Sequence, residues 1–502
     1  MKRRDFLKTT SGVAAVIAVS GPIALWAEAV PKRPNLLFIT VDDMNWTMPG
    51  FMGNPLGLTP NLDKQAARSH RFVHNRTTAP ICQPSREAMM TGRLPQHSGG
   101  LGFNPVHEGV PTMVTTLKAA GYYTMAIHKT EHMQPESCFP WDHPIPGANR
   151  APSGYAAAVA QGMAEARAKK QPFFINCNIN DPHRPFYGSE DAAHMDHDEQ
   201  GEYANARVLT AKDVKITPNL DALPEVETEF AQYCNSVQRM DRSIGKVLET
   251  LAASPEAENT VVFFSADHGM PFPFSKATVY DYGTRTPALL HYPGMSTPKA
   301  FAERTGNIDY MPTLLDVLHV PHPAGMDGVS WMPVMHGKTY DGPELRVTHV
   351  NGVSSGIEFP QRAIQDGRYS LVFMAWPNGT RHFRIESMSG LSYPAMAEAA
   401  KTDAVMAARV KQLVIGTPLA FYDLQEDPGQ RVNLLDRHEH AERIGHMKQA
   451  LHEYMVANND PQLDNYDRFL AGKPMVVAPP ERHRQEGGGK GQKRRSQTDD
   501  EG

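Results

Sequence analysis

Cysteine is scarce in this chain. Four residues in 502, Cys82, Cys138, Cys177 and Cys234, stand far apart with no C-x-x-C pair. That spacing argues against a zinc or iron–sulfur site built from thiolates and leaves one structural disulfide open. For Cys138, Cys177 and Cys234 the expectation is buried thiols. Long apolar runs are missing as well: past the N-terminus, no segment is apolar over the ~20 residues that cross a bilayer, so stable membrane insertion is not expected. Nor does one sign of charge dominate. A formal net charge of -5 with interspersed signs gives no long-range attraction to nucleic acid or an anionic membrane, so any affinity for anions must be local. No internal repeat is evident.

What is present starts with MKRRDFLKTTSGVAAVIAVSGPIALWAEA. Arg3 and Arg4 precede Phe6, Leu7 and Lys8, an apolar stretch runs from Gly12 to Trp26, and Ala27-Glu28-Ala29 offers a small-x-small cleavage site. Residues 1–29 therefore read as a twin-arginine-type signal peptide, and the exported protein, periplasmic or at the cell surface, is expected to start near Val30. At the other end, residues 471–502 become Gly-rich and charged and are expected to be disordered.

Four β-branched or aromatic runs each end on a polar cluster. NLLFITV leads into Asp42-Asp43, YYTMAI into His128-Lys129, FFINCNIN into Asp181-Pro182-His183, and TVVFFSA into Asp267-His268. These read as buried strands of an α/β sheet, separated by helical stretches such as TMVTTLKAAG and EVETEFAQYCNSVQRMDRSIGKVLETLAAS. Open α/β sheets hold ligands just past the carboxyl ends of their strands, so the four clusters are expected to converge. Further on, Asp366-Gly367 sits between two strand-like runs as a hairpin signal, and a helix is expected over residues 438–457. The expected organisation is a main α/β domain at 30–345 and a smaller C-terminal α+β subdomain at 346–470.

Asp42, Asp43 and Asp267 together would make a hard oxygen site suited to Ca²⁺ or Mg²⁺, with His268 touching the metal or a leaving group. Cys82 stands in PICQPSREAMMTGRLPQHSGG. Residue type alone leaves it open as a disulfide partner, a metal thiolate, a nucleophile, a buried bystander or a precursor of something else.

At Cys82 the sequence resembles a family. C-x-P-S-R over Cys82 to Arg86, followed by TGR, is the signature of the type I sulfatases. Five further stretches, PNLLFITVDD, GYYTMAIHKTEH, DPHRPF, SADHG and FYDLQEDPGQRVNLL, stand in the family's order between Pro34 and Leu435. DPHRPF and DHGMPFPFSKATVYDYGTRTP look most like heparan N-sulfatase (sulfoglucosamine sulfohydrolase) and its bacterial relatives. The resemblance implies an alkaline-phosphatase-like mixed sheet flanked by helices, and hydrolysis of sulfate esters or N-sulfates on a sulfated saccharide. It implies that a formylglycine-generating enzyme oxidises Cys82, and that the hydrated product, a gem-diol, attacks sulfur. Asp42, Asp43, Asp267, His268 and the modified Cys82 would bind Ca²⁺, with Mg²⁺ as the alternative. Arg86 and Lys129 would hold the formylglycine, His132 would assist its turnover, and His183 and Lys276 would grip the sulfate and serve the leaving group.

Two positions depart from the family pattern. His128 stands where the second signature commonly has glycine, with the next histidine three residues after Lys129, and His268 replaces a common asparagine. The same fold also hosts phosphomonoester and phosphonate hydrolases; its phosphatases usually carry Ser or Thr and two zinc ions with more His and Asp ligands, whereas a single hard site is visible here. A catalytically silent glycan-binding protein would need neither the Cys82 motif nor the acidic set. Sugar specificity is expected from the loop FYGSEDAAHMDHDEQGEY, starting at Phe186, and from the C-terminal subdomain, with His349 and Arg362 as contacts.

Overall fold

Residues 35–42 alternate between two packing faces, and the architecture follows from that alternation. In the computed structural model, which describes residues 33–147, 150–192 and 204–477, strand β1 (Asn35–Asp42) is buried along its whole length. Leu37, Ile39 and Val41 pack on one face with Val226, Phe230 and Tyr233 of the helix Pro224–Ala252. Leu36 and Phe38 pack on the other with Val114 and Leu117 of the helix Met113–Ala119 and with Leu314 of the helix Tyr310–Val317. A strand covered on both faces must be apolar nearly throughout, which is why NLLFITV reads as a continuous run. The signal-peptide stretch 1–29, residues 193–203 of the loop after Phe186, and the tail from 478 lie outside the described residues.

Seven more strands complete the main sheet: β2 (His70–Phe72), β3 (Tyr123–Ile127), β4 (His143–Ile145), β5 (Phe173–Pro182), β6 (Thr260–Ala266), β7 (Ala288–His291) and β8 (Ala300–Phe301). Their order is β4-β3-β5-β1-β6-β7-β2-β8. Pairing is parallel from β4 through β6 and turns antiparallel at β7, giving the mixed sheet expected. Because β1 lies between β5 and β6, Asp42-Asp43 and Asp267-His268 leave neighbouring parallel strands at the same edge. His128-Lys129 follows β3 and His183 follows β5, so all four polar clusters meet there.

A second, antiparallel sheet has the order β12-β11-β10-β9, from β9 (Arg346–Gly352), β10 (Glu358–Gln365), β11 (Tyr369–Met374) and β12 (Leu419–Asp423). Asp366-Gly367 does turn β10 into β11, with Gly367 at a φ of 95° that other residues rarely adopt. One face of this sheet packs against Phe274, Val279 and Tyr280 of the loop after β6, and the other against Ile444, Met447 and Leu451 of the helix Ala441–Ala457. The second sheet thus braces a loop of the first. All four cysteines are free and buried, so the chain uses no disulfide among the described residues.

His349 and Arg362 are not positioned as sugar contacts, which corrects the expectation from sequence. Both are buried within the second sheet, His349 in β9 and Arg362 in β10. Arg362 pairs with Asp460 through two hydrogen bonds of 2.6 and 2.8 Å, and His349 Nε2 shares a 2.7 Å hydrogen bond with the Tyr454 hydroxyl. Polar residues in a strand look like ligand contacts until the helix that covers them is known. Here they tie the chain beyond the helix Ala441–Ala457 to β10. Removing one partner leaves a buried, uncompensated charge, so Asp460→Ala should lower unfolding free energy by about 3–5 kcal/mol. Urea unfolding followed by tryptophan fluorescence measures this; an unchanged midpoint would contradict the role given to the pair.

Candidate active site

Asp42 ends β1 and Asp43 follows it in a left-handed conformation, φ 69°, which turns the two carboxylates into the space beyond the sheet. Asp267 ties this turn to the next strand: its Oδ1 accepts from the Asp43 amide at 3.1 Å and from the His268 amide at 2.9 Å. Cys82 opens the helix Cys82–Thr91, every residue of which is buried. Its Sγ lies 3.6 Å from Asp42 Oδ1 and 3.3 Å from His268 Nε2. The ligating atoms of Asp42, Cys82, Asp267 and His268 all fall within 4.8 Å of one another, and His268 Nδ1 is 3.4 Å from Asp43 Oδ1.

Each carboxylate meets a cation from a different element. Arg86, one helical turn after Cys82 and so on the same face, donates to Asp267 Oδ2 at 2.9 Å. It also donates to the Thr40 hydroxyl at 3.1 Å and to Asn178 Oδ1 at 2.6 Å. Asn178 in turn donates to the carbonyls of Ile127 and His128, both at 3.1 Å, which anchors the turn that carries Lys129. Lys129 pairs with Asp42. His128 and Lys129 both take positive φ, 60° and 54°. That explains why glycine suits the family position and why His128 is a costlier choice there.

Lys276 completes the set, with Nζ 3.0 Å from Asp43 Oδ2 and 3.1 Å from Glu386 Oε2. Its loop closes so tightly that a Cβ on Gly269 would lie 1.8 Å from the Tyr282 carbonyl oxygen, and one on Gly283 2.2 Å from that of Ser275. Backbone cannot give way as a side-chain tip can, so both positions require glycine.

Burial and these neighbours set the charge states. Burial opposes ionisation of Asp42, but Lys129, then His183, Arg86 and Lys276, hold its carboxyl well below the usual range. Asp43 is pushed up by burial and by the adjacent Asp42, with Lys276 opposing. Burial and then Asp42 push the Cys82 thiol well above its ordinary pKa, so the unmodified residue is held as a thiol and makes a poor nucleophile and a poor metal ligand. His183 is brought down to about 4 and His132 to about 3, in each case first by burial and next by a neighbouring lysine, Lys276 and Lys129 respectively. Both imidazoles are neutral near pH 7.

A cavity of about 140 Å³ opens onto this cluster, with Cys82, His132, His183 and Lys276 on its walls beside Phe103 and Glu386. The expected site residues are therefore together: Asp42, Asp43, Asp267, His268, Arg86 and Lys129 behind Cys82, and the two histidines and Lys276 facing the opening. Sequence reasoning missed Glu386, whose Oε1 is 3.3 Å from His183 Nε2 and which Lys276, then His183, holds down at about 2. It lies in RIESMSG, far along the chain and in no motif. It missed Asn178 and Thr40 too, although their place among the apolar residues of two buried strands was a usable signal.

The donor set can be tested against a bound ion on its chemistry. Carboxylate oxygens from Asp42, Asp43 and Asp267 suit a hard divalent cation. A protonated thiol at Cys82 does not, whereas an oxygen there would. Asp43, His183 and Glu386 form a second group with metal-like spacing. The Lys276 ammonium already stands in contact with both of its carboxylates.

Comparison with known proteins bears on the family and the fold. A family model described as Sulfatase matches residues 34–320. An ulvan-active sulfatase from Formosa agariphila is 24% identical over 474 residues, covering 86% of this chain and 76% of that protein. The human N-acetylgalactosamine-6-sulfatase is 27% identical over 485 residues, covering 87% and 89%. The human N-sulphoglucosamine sulphohydrolase is 27% identical over 382 residues, covering 68% and 73%. Among solved structures, a 2-O glycosaminoglycan sulfatase superposes with a TM-score of 0.64 at 18% identity, covering 91% of this chain and 98% of that one. At that identity the likeness establishes the fold.

Proposed function

The chain belongs to the sulfatase family, and from that premise we propose that it hydrolyses sulfate esters or N-sulfates of saccharides, using formylglycine made from Cys82 and a divalent cation, Ca²⁺ in preference to Mg²⁺. The observation that carries this reading is the seat of Cys82: a buried thiol held protonated, on the wall of a cavity whose other polar walls include His132, His183, Lys276 and Glu386. A thiol in that state has no chemistry of its own to offer, while the same position with two hydroxyls on one carbon does. One hydroxyl would attack sulfur and the other would expel the sulfate and regenerate the aldehyde. A cation bound by Asp42, Asp43, Asp267 and His268 would lower the pKa of the attacking oxygen and offset charge on the sulfate.

The chain's own residues supply the rest. Arg86 and Lys129 fix the orientation of residue 82 through Asp267 and Asp42. Lys276 meets a sulfate oxygen as a point charge, an interaction that strengthens as negative charge gathers on the bridging oxygen. His183 and His132 are neutral in the free protein, and an arriving anion raises the pKa of both. A proton held at His183 Nε2 can then pass to the leaving oxygen or nitrogen, while His132 takes a proton when sulfate is released. Residues 346–470 act in this reading as a subdomain that completes the cavity wall, through Val353, Ser354 and Glu386. Export through the 1–29 leader, to the periplasm or cell surface, and maturation by a formylglycine-generating enzyme belong to the same proposal. The described residues include no helix long and apolar enough to cross a membrane.

Two outcomes are expected. Matched sulfate and phosphate esters should yield sulfate far faster than phosphate, Cys82→Ser should not turn over, and EDTA should abolish sulfate release and lower the thermal midpoint, with Ca²⁺ restoring both. Dominant phosphate release, or recovery with Zn²⁺ alone, would favour a phosphoester hydrolase. Lys276→Ala should reduce kcat/KM by about 100-fold or more, the size of effect seen when a preorganised charge partner is lost. A variant with near-native kcat/KM would remove Lys276 from the mechanism.

A further inference from the structure

A second cavity, of about 380 Å³, shares Phe103, Val353 and Ser354 with the catalytic one. The catalytic cavity, at about 140 Å³, has room for a sulfate and part of a sugar ring, so the rest of a saccharide must leave past those shared walls. The second cavity is lined by side chains that hydrogen-bond without carrying charge: Asn104, Asn351, Ser355 and Gln462. Its one charged wall residue among the described residues is Glu358, at the start of β10 and exposed to solvent. In the catalytic cavity the lysine on the wall, Lys276, is the one assigned to the sulfate, and it pairs with Glu386. No lysine, arginine or histidine lines the outer cavity among the described residues.

Resting on the sulfatase reading above, we propose that the outer cavity is a subsite for an uncharged, hydroxyl-bearing sugar next to the sulfated one, and that Glu358 selects against a second anionic group on the substrate. A carboxylate is acceptor-only, so sugar hydroxyls or an ammonium satisfy it, whereas a uronate or a second sulfate meets like charge on a wall with no cationic side chain of its own, the Arg381 guanidinium being bound to the Glu358 carbonyl at 2.9 Å. Amides and hydroxyls match the donors and acceptors of a sugar, and the Phe103 ring offers a flat apolar surface to the C–H face of a pyranose. Selection of this kind works by repelling the wrong ligand as much as by attracting the right one. The class so favoured is a polysaccharide whose sulfated units alternate with neutral ones.

The test compares two disaccharides with the same sulfated hexose, whose neighbouring sugar is either neutral or carries a carboxylate, in native enzyme and in Glu358→Gln and Glu358→Lys variants. The readout is the ratio of the two kcat/KM values, which cancels any general loss of activity. The native ratio should favour the neutral neighbour by about tenfold or more, a size consistent with one like-charge contact near the surface. Glu358→Gln should shrink the ratio and Glu358→Lys should erase or reverse it. A native ratio near one, a preference for the carboxylated substrate, or a ratio indifferent to Glu358→Lys would overturn the proposal. Release of sulfate from p-nitrophenyl sulfate in the same preparation separates the two readings. Turnover of that ester without discrimination sinks the subsite alone, while no sulfate from any ester sinks the sulfatase reading with it.

Discussion

Three carboxylates buried at the ends of two neighbouring strands are the constraint on which the rest of the structure depends. Asp42, Asp43 and Asp267 are wholly removed from solvent, and buried charge is tolerated only where it is paired and hydrogen-bonded. Each has its own counter-charge: Lys129 for Asp42, Arg86 for Asp267, Lys276 for Asp43. The three cations come from the turn after β3, a helix, and the loop after β6. Mispositioning any of these segments would strand a charge in the interior, so the site and the fold stabilise each other. The second sheet serves the same end: its apolar cluster with Phe359 and Trp376 packs on Phe274, Ala277 and Val279 of the Lys276 loop.

Much of this arrangement was legible in the sequence for a simple reason. A parallel strand buried on both faces has to be apolar nearly throughout, so the place where NLLFITV or TVVFFSA gives way to acidic residues marks the edge of the sheet. Four such edges imply a shared ligand position before any pairing is known. Their neighbours in space were not legible. Strand order β5-β1-β6 depends on how helices cover the sheet, and nothing local to Asp42 says that β6 lies beside it. Arg362 and His349 failed for the converse reason. Cationic groups in a strand were read as ligand contacts, but the helix Ala441–Ala457 covers that face and Asp460 closes over the guanidinium. Glu386 could not be found from sequence because its role is defined by contacts with Lys276 and His183, more than a hundred positions earlier in the chain.

The parts of the site differ in how far they constrain chemistry. The carboxylates and Arg86 of the interior cluster stand on strand ends and one helix, elements that leave side chains little freedom. The outer walls come from Phe103, from the turn around Val353 and Ser354, and from the 3₁₀ turn Glu386–Met388. Such connections can change sequence without disturbing the sheet.

The account turns on what residue 82 is in the working protein. Peptide mass spectrometry of the tryptic fragment containing it, from enzyme purified by its sulfate-releasing activity, reads this directly. Replacement of CH2–SH by CHO makes that peptide about 18 Da lighter, at a residue removed from the ordinary ladder of thiol oxidation. The account predicts the lighter species in proportion to activity across preparations. Fully active protein in which Cys82 is an unmodified thiol would contradict it.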